Sequence, residues 1–416
     1  MYYSDILFEK NANSYQHNLS SDFACFALWQ SAKPYRDKIR TLLEEKFEIL
    51  LETEIEWSKK NFKQNAARLY ETPIRSNIPD AKWTTGHEKK IGSRSFILFV
   101  VKDNSPNYTY GRSVSKKIEL SNLNVVNLKN EIRAIIFSEV KAKFAVHSTN
   151  NIHEFFFQAP LILGVDLFQK LLNGQKIIQE KISKDLEGAD GWTSYQELFN
   201  ILNYTNNYLV LRGFESLPNE NPEKDLDVLT DNYQRFASAL GAAQLGHQPY
   251  KGKIRVNNEK VSLDIRYVGD KYYHTAWAKE MLETKVTLNG VFIPRSDHYF
   301  FSLLFHAKVQ KPKVKEKYIP ILSKIATNLN FSWYKPEKLA DDKYVGQLLN
   351  GYFRTHYYYY EDPLDKGVHK NEAVIKHIQS DRMLNYKFWT KKIEGKLIEV
   401  LPVRTVKVLK KIKRKL

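Results

Sequence analysis

Two short segments of the chain alternate aspartate with apolar residues, and this alternation limits what the chain can fold into. The segments are KDLDVLTD at 224–231 and VSLDIRYVG at 261–269. Both patterns predict β-strands, because successive side chains of a strand point to opposite faces. Asp225 and Asp227 would then share one face, and Asp264 would share a face with Arg266. If the strands pair, three carboxylates meet on the polar face of a sheet whose other face is apolar.

Carboxylates that lie close together repel one another, and proteins usually hold such a group together with a divalent cation. Two such ions about 4 Å apart would bind a triphosphate and activate an attacking oxygen. The patch of Asp225, Asp227 and Asp264 therefore favours phosphoryl or nucleotidyl transfer. The alternative is that Asp225 and Asp227 are solvated charges on an edge strand.

The segment before the first of these strands, YLVLRGFESLP at 208–218, adds a short apolar strand and a turn at Gly213, 12 residues before Asp225. This order of apolar strand, glycine turn, paired aspartates and later third aspartate resembles the nucleotidyltransferase superfamily that includes polymerase β. IPRSDHYFFSLLFHAKVQK at 293–311 resembles a helix that follows the sheet in bacterial members linked to surface polysaccharides. The resemblance covers residues 190–312.

The resemblance implies transfer of a nucleoside monophosphate from a nucleoside triphosphate (NTP) to a sugar, polyol or glycan acceptor, with Mg²⁺ or Mn²⁺ as the cofactor. Asp225 and Asp227 would bind both ions. Asp264 would bind the catalytic ion and help to deprotonate the acceptor. The residues expected to bind the nucleotide and its phosphates are Arg212, Gly213, Arg266 and Lys271.

The turn departs from the superfamily in one respect. The superfamily usually has Gly-Ser or Gly-Gly there, opening a helix whose N-terminal N–H groups bind phosphate. Here the turn is Arg212-Gly213-Phe214-Glu215. Arg212 could supply a bidentate phosphate contact instead.

Two other functions stay open at this point. The chain could be a non-catalytic nucleotide- or glycan-binding module that docks to a membrane through its basic tail. It could also be a nucleotidyltransferase of RNA or DNA, which its formal net charge of +17 would suit. Because no recognised nucleic-acid motif is present, we expect a glycan-type acceptor and no nucleic-acid partner.

The single cysteine, Cys25, excludes an intramolecular disulfide and any Cys-based zinc site. The 11 histidines show no HxxxH or HExxH spacing, which argues against zinc altogether. No apolar run approaches the roughly 18 residues that a membrane span needs, and the N-terminus has no signal pattern. We therefore expect a soluble cytoplasmic protein, which could attach peripherally to the inner face of the membrane.

The length of 416 residues predicts two or three domains. We expect an α+β protein with a mixed-sheet, nucleotidyltransferase-like core and flanking helices. A smaller α/β unit would precede this core, and a helical region would follow it. The predicted segments are an N-terminal region (1–92), a small α/β domain (93–174), the nucleotidyltransferase-like domain (175–312), a helical region (313–386) and a basic tail (387–416).

Local patterns add further predictions within these segments. QKIIQEKISKDLEG at 175–188 is expected to form a helix. KIRVNNEKVSLDIRYV at 253–268 is expected to form a hairpin that turns at Asn257-Asn258, since asparagine tolerates left-handed backbone. We expect His306 to be a buried structural histidine, and the tyrosine run 357–360 to pack between helices rather than stack on a base.

Residues 93–174 resemble a degenerate nucleoside diphosphate kinase. That family has a strand ending in Lys-Pro-Asp, then Ile-Arg, then His-Gly-Ser-Asp with the phosphorylated histidine. The counterparts here are Val101-Lys102-Asp103, Ile132-Arg133 and His147-Ser148-Thr149-Asn150. The counterparts differ from the family's motifs at several positions. These differences predict a nucleotide- or phosphate-binding relative without kinase activity, in which His147 is not phosphorylated.

The basic charge is concentrated in the tail. Residues 387–416 hold eleven Lys and Arg against two Glu, a net charge of +9. After Pro402, apolar residues recur at helical spacing: Val403, Val406, Leu409, Ile412 and Leu416. This pattern predicts a basic amphipathic helix over 403–416 that binds an anionic membrane surface. The alternative is a helix that packs its apolar stripe on preceding helices.

Overall fold

The structure, a computed structural model, describes residues 1–72, 74–75, 89, 91–112, 118–244 and 250–380. The predicted basic tail and its amphipathic helix lie outside these residues. In the described part of the chain, no helix is both long enough and apolar enough to cross a membrane. Two units are distinguished: unit 1 contains Met1–Val268 and Leu282–Pro294, and unit 2 contains Gly269–Met281 and the described residues from Arg295 to 380.

Two strands that are apolar at nearly every position form the centre of the first sheet of unit 1. They are β3 (Asp22–Leu28) and β6 (Ser95–Asp103), and they pair antiparallel. Sheet 1 has five strands in the order β10-β4-β6-β3-β9. The other three strands are β4 (Glu48–Glu56), β9 (Val146–Ser148) and β10 (Ile177–Ser183). A strand that is apolar on both faces must be covered on both faces.

Helices supply that cover for sheet 1. Ala24, Phe26 and Leu28 of β3 pack with residues of α1 (Arg36–Glu44) and α3 (Leu123–Val140). On the opposite face Phe23 stacks on Phe155 of α4 (Ile152–Leu163), with ring centroids 5.7 Å apart. Helix α5 (Val165–Leu172) follows α4 directly. The alternation of side chains along β3 thus divides its residues between two layers of helix.

The hydrogen bonding of sheet 1 differs from the boundaries predicted at residues 93 and 175. Strand β6 pairs with β3 and β4 of the N-terminal segment, and β10 pairs parallel to β4. The small α/β domain predicted at 93–174 is therefore one part of a larger sheet. A separate four-stranded antiparallel sheet consists of β1 (Phe8–Asn11), β2 (Ser14–His17), β7 (Tyr108–Arg112) and β8 (Ile118–Asn122).

The helix predicted at 175–188 is wrong: β10 occupies 177–183. Ile177, Ile178 and Ile182 are β-branched residues, which favour extended backbone. Pairing with β4, more than 120 residues earlier in the chain, supplies the hydrogen bonds of the strand. A local pattern cannot reveal a partner that distant.

The second sheet carries the aspartates. Sheet 2 has six strands in the order β11-β12-β15-β14-β13-β5. Their bounds are β5 (Ile74–Arg75), β11 (Tyr208–Arg212), β12 (Asp225–Thr230), β13 (Ala243–Gln244), β14 (Lys251–Val256) and β15 (Glu259–Tyr267). The sheet is mixed, since β12 pairs parallel to β15 and β14 pairs antiparallel to it. The predicted hairpin is confirmed: Asn257 and Asn258 join β14 to β15 with φ of 50° and 63°.

Helices α6 (Tyr195–Thr205) and α7 (Tyr233–Leu240) cover the apolar face of sheet 2. Tyr208 of β11 stacks on Phe199 of α6 and packs against Phe236 of α7. A short hairpin of β16 (Val286–Leu288) and β17 (Val291–Ile293) completes unit 1. Strands and helices are present in comparable measure, so the fold is α+β as predicted.

A fully buried arginine holds helix α2 (Phe62–Leu69) in unit 1. Arg68 donates hydrogen bonds to three backbone oxygens: Ser238 O at 2.9 Å, Ala239 O at 2.6 Å and Glu187 O at 2.7 Å. Two of these carbonyls lie in the last turn of α7, where the helix supplies few donors: Ser238 O also accepts from the N–H of Gly241 at 3.2 Å. Arg68 thus donates to buried acceptors at the end of helix α7 and in the turn at Glu187.

Unit 2 is helical in its described part. Its helices are α8 (Thr275–Glu283), most of which belongs to this unit, α9 (Ser296–Lys308), α10 (Tyr318–Asn328), α11 (Asp342–Thr355) and α12 (Glu372–Ile375). His306 is buried as predicted, 3.0 Å from the hydroxyl of Tyr272. From the tyrosine run, Tyr358 and Tyr360 are buried, and Tyr358 stacks on Trp277. Tyr357, by contrast, is 88% exposed.

Candidate active site

The parallel pairing of β12 with β15 brings the aspartates onto one face of sheet 2. Asp227 stands opposite Asp264, and Asp225 stands opposite Ser262. The intervening residues, Leu226, Val228, Leu263 and Ile265, are all buried on the other face. The alternation seen in the sequence therefore becomes a sheet with one apolar face and one face that carries three carboxylates.

A β-bulge in β11 places Arg212 beside these carboxylates. The register of β11 against β12 shifts between Val210 and Arg212, so that Arg212, and not Leu211, stands opposite Asp227. Its Nη2 lies 2.8 Å from Asp227 Oδ1. Bulges often occur next to active sites, because the extra residue redirects a side chain. Arg212 is thus aimed at the carboxylates by the backbone itself.

Arg266 forms a second arginine–carboxylate pair. It lies two residues after Asp264 on β15 and so on the same face. Its Nε lies 2.7 Å from Asp264 Oδ1, and its Nη2 donates to Oδ2 at 3.0 Å. The guanidinium group also lies over the ring of Tyr250, 5.2 Å from its centroid. Two of the four predicted phosphate-binding residues therefore contact the predicted metal ligands.

The other two predicted phosphate-binding residues lie differently. Gly213 has φ of +69°, a left-handed conformation that favours glycine, and a Cβ there would meet no atom within 4 Å. The chain after it forms turns over residues 215–219, where the superfamily has a helix. Lys271 belongs to unit 2, where its Nζ lies 3.7 Å from Glu361 Oε1.

The electrostatics of the patch distinguish Asp225 from its neighbours. The pKa of Asp225 is raised from 3.8 to about 6, first by loss of surrounding water and then by the negative charges of Asp227 and Asp264. The charge of Arg212 acts in the opposite direction but does not cancel these effects. Asp225 is therefore the carboxylate whose negative charge is least compensated.

The donor chemistry of the patch suits a hard divalent cation, since Mg²⁺ and Mn²⁺ prefer carboxylate oxygens. The raised pKa of Asp225 adds that a further positive charge would be favourable there. In the ranges that the structure describes, however, no group of three or more His, Cys, Asp or Glu side chains is arranged to hold a metal ion. The side chains of Asp227 and Asp264 are instead paired with Arg212 and Arg266.

Asp225→Asn is expected to stabilise the protein at pH 8 and to have little effect at pH 4. The pKa of Asp225 is higher in the folded protein than in the unfolded chain, so protonation of this carboxyl group stabilises the folded state. This stabilisation is lost as pH rises through about 6. Because the side chain of Asp225 is only partly removed from solvent, the gain is reduced by screening to about 1 kcal/mol. Urea denaturation at pH 4, 6 and 8 measures it, with Glu259→Gln as the control. An equal gain in the free energy of unfolding at pH 4 and pH 8 would show that it does not come from the raised pKa of Asp225.

A row of cations on β14 was not among the predicted site residues. Lys251, Lys253 and Arg255 are exposed and alternate with buried Gly252, Ile254 and Val256. Lys251 stands opposite Asp264, which places the row on the same face as the carboxylates. The period-2 pattern of KGKIRV carries this signal, but the strand partner is needed to show which face the row shares.

The region that resembles nucleoside diphosphate kinase contains a histidine with ordinary contacts. His147 Nε2 lies 2.9 Å from Gln158 Oε1, and the ring lies near those of Trp29 and Tyr70. Arg133 donates from Nε to the backbone oxygen of Val146 at 2.8 Å. These contacts describe a histidine packed within the short strand β9.

Comparison with protein-family models, with curated proteins and with solved structures yields no match for this chain.

Proposed function

We propose that the aspartate-bearing face of sheet 2 is the active site of a divalent-metal-dependent nucleotidyltransferase. It would transfer a nucleoside monophosphate from an NTP to a hydroxyl group of a sugar, polyol or glycan. The observation that carries the proposal is the register of Asp227 opposite Asp264, with Asp225 on the same face. The nucleotidyltransferase-like core and the surface-polysaccharide acceptor are parts of the same proposal and rest on the sequence resemblance.

The reaction proposed for this site is a displacement at phosphorus. The acceptor hydroxyl oxygen attacks the α-phosphorus, the bond from that phosphorus to the oxygen bridging to the β-phosphate breaks, and pyrophosphate leaves. Asp264 accepts the hydroxyl proton. Arg212 and Arg266 bind oxygens of the triphosphate, for which a guanidinium fork is well suited. Mg²⁺ or Mn²⁺, held by Asp225, Asp227 and Asp264, would supply neutralisation of the developing charge.

A second candidate, a non-catalytic nucleotide- or glycan-binding module, is favoured by one specific observation. Asp227 and Asp264 are each paired with an arginine, at 2.8 and 2.7 Å. Such pairs neutralise the carboxylates without a metal ion. A binding module would bind nucleotide through the same arginines and release no pyrophosphate.

The first test is protection against heat by each of the four NTPs, in MgCl₂ and in EDTA. We expect one or more NTPs to raise the melting temperature in MgCl₂ by several degrees, because a ligand that binds only the folded state stabilises it. The shift should be lost in EDTA and in Asp225→Asn. Glu259→Gln, which removes an exposed carboxylate from the neighbouring strand β15, is the control that should keep it. Equal protection with and without metal would contradict the metal-dependent site.

A further inference from the structure

A cleft with a volume of about 350 Å³ opens where the β14–β15 hairpin meets the turn before α6. Four positively charged side chains line it and define what we call the cationic cleft: Lys60, Lys253, Arg255 and Lys260. Asp190 is the one carboxylate among the lining residues, so four cations and one anion leave a net charge of +3. Such a lining favours an anionic ligand.

The charge of Asp190 is already balanced within the protein. Lys60 Nζ lies 2.6 Å from its Oδ1, and Asn61 donates to the same oxygen at 3.1 Å. These hydrogen bonds, that of Lys60 first, lower the pKa of Asp190. Among the described residues, Lys253, Arg255 and Lys260 form no ion pair with a carboxylate. Three cations of the cleft are thus available to a ligand.

The strand register adds a cost that a ligand would remove. Arg255 stands directly opposite Lys260, and Lys253 stands opposite Ser262. Like charges on directly opposed residues of antiparallel strands destabilise the pairing. An anion bound between Arg255 and Lys260 would turn this repulsion into two attractions.

Two glycines allow a backbone turn to form the wall of the cleft. Gly188 and Gly191 have φ of +68° and +104°. A Cβ on Gly191 would lie 3.1 Å from Arg255 Cβ and 3.2 Å from the backbone oxygen of Arg255. A residue with a side chain could therefore not occupy position 191 without displacing β14. Trp192 then fixes the turn to β14, donating from its N to Arg255 O at 2.8 Å. The wall and the cations therefore belong to one well-connected structure.

We propose that the cationic cleft binds the phosphate group of a small phosphorylated molecule. A volume of about 350 Å³ falls at the low end of small-molecule sites, which hold a compact ligand and not a nucleic-acid duplex. Arginine and lysine side chains are common phosphate ligands of proteins, and three that form no ion pair among the described residues line this cleft. Lys253 and Arg255 of β14 and Lys260 of β15 would make the direct contacts.

The position of the cleft identifies this molecule as the acceptor, an assignment that rests on the proposed function. Ser262 and Lys260 lie two and four residues before Asp264 on the same face of β15. With a rise of about 3.3 Å per residue, these positions are about 7 and 13 Å from Asp264 along the strand. The lysine and aspartate side chains cover part of that length, and a phosphorylated sugar or polyol covers the rest, so its phosphate can occupy the cleft while a hydroxyl reaches Asp264. That phosphate is not consumed, and the hydroxyl attacks the α-phosphorus with release of pyrophosphate as above.

Binding is tested by calorimetry with glycerol 3-phosphate and glucose 6-phosphate. The buffer contains EDTA, so that no metal ion can link the phosphate to the aspartates. We expect binding by the natural protein and at least tenfold weaker binding by the double variant Lys253→Gln/Arg255→Gln. The control is Lys176→Gln/Lys181→Gln, which removes two positive charges at exposed positions of unit 1 and should bind as the natural protein does. Melting temperatures of both variants check that they fold. Equal affinities in all three proteins, or no binding by the natural protein, would overturn the cleft as a phosphate site.

A short single-stranded oligonucleotide is the competing probe. Tighter binding of the oligonucleotide than of either phosphate ester, lost in the Lys253→Gln/Arg255→Gln variant, would overturn the small-molecule assignment. We expect the reverse order of affinity, since the cleft is closed on one side by the glycine turn.

Kinetics test the acceptor role separately. With an NTP that protects the protein, we expect the phosphorylated sugar or polyol to stimulate pyrophosphate release more than the same molecule without phosphate. Lys253→Gln/Arg255→Gln should raise the KM for the acceptor at least tenfold with little change in kcat, because the cleft binds a group remote from the reaction. Phosphate binding without any NTP protection would support the cleft and overturn the acceptor role. NTP protection without phosphate binding would overturn the cleft and leave the proposed nucleotidyltransferase standing.

Discussion

Asp227→Asn is expected to reduce pyrophosphate release by at least about 10³-fold at saturating NTP and Mg²⁺, equivalent to about 4 kcal/mol of transition-state stabilisation. Asp227 lies between the other two carboxylates of the patch, beside Asp225 on its own strand and opposite Asp264 on the next. Removing its charge takes a carboxylate from the proposed metal site and leaves Arg212 without the partner that now lies 2.8 Å away. Neither loss can be compensated by an amide of the same shape.

The same variant should change the melting temperature by only a few degrees. Loss of the Arg212 pair is destabilising, whereas loss of repulsion with Asp225 and Asp264 is stabilising, and the two effects oppose each other. Glu259→Gln, which removes an exposed carboxylate from the neighbouring strand β15, serves as the control. Full activity in Asp227→Asn would reject the metal-site assignment, and a large fall in melting temperature would show that Asp227 acts mainly as a structural ion-pair partner.

Arg68→Met is expected to destabilise unit 1 by about 3–5 kcal/mol, the largest stability effect that we predict. Methionine fills much of the same volume but donates no hydrogen bond, so the oxygens of Glu187, Ser238 and Ala239 lose the donor that Arg68 provides. Ser238 O keeps the N–H of Gly241 at 3.2 Å. A buried acceptor that is left without a partner costs about 1–3 kcal/mol, and these costs are not fully additive. A fall in melting temperature of roughly 10 °C would accompany this loss.

Urea denaturation followed by circular dichroism measures the change in free energy of unfolding. Lys63→Met, at an exposed position of the same helix, is the matched control and should lie within about 0.5 kcal/mol of the natural protein. If Arg68→Met behaved like the control, the three backbone oxygens would have to find other partners, and the role assigned to Arg68 would be wrong.

The placement of the aspartates could be predicted because it follows from a local rule. Strand alternation assigns Asp225, Asp227 and Asp264 to polar faces whatever the rest of the chain does. The hairpin at Asn257-Asn258 is equally local, since its turn and both strands lie within 17 residues. These features needed only the residues that form them.

The features that escaped prediction depend on partners distant in sequence. The local pattern of 175–188 predicts a helix, and the strand that forms instead depends on β4, which lies far earlier in the chain. The pairing of Arg212 with Asp227 depends on a bulge that no residue pattern in YLVLRGF announces. The cationic row of β14 was visible as an alternation, but its position beside Asp264 follows from the register of the hairpin.

The short strand β5 has a consequence for the order in which the protein can be built during synthesis. Its backbone pairs with β13, with Ile74 in register with Ala243, so the two strands are separated by almost 170 residues of chain. Strands β4 and β6, on either side of β5 in sequence, pair with each other in sheet 1. A nascent chain can therefore complete most of sheet 1 while β5 still has no partner, and only the emergence of residue 243 from the ribosome supplies one. Such non-local pairing is slow to form. Strand β5 of the N-terminal segment therefore gains its hydrogen-bonding partner only when the aspartate-bearing sheet forms.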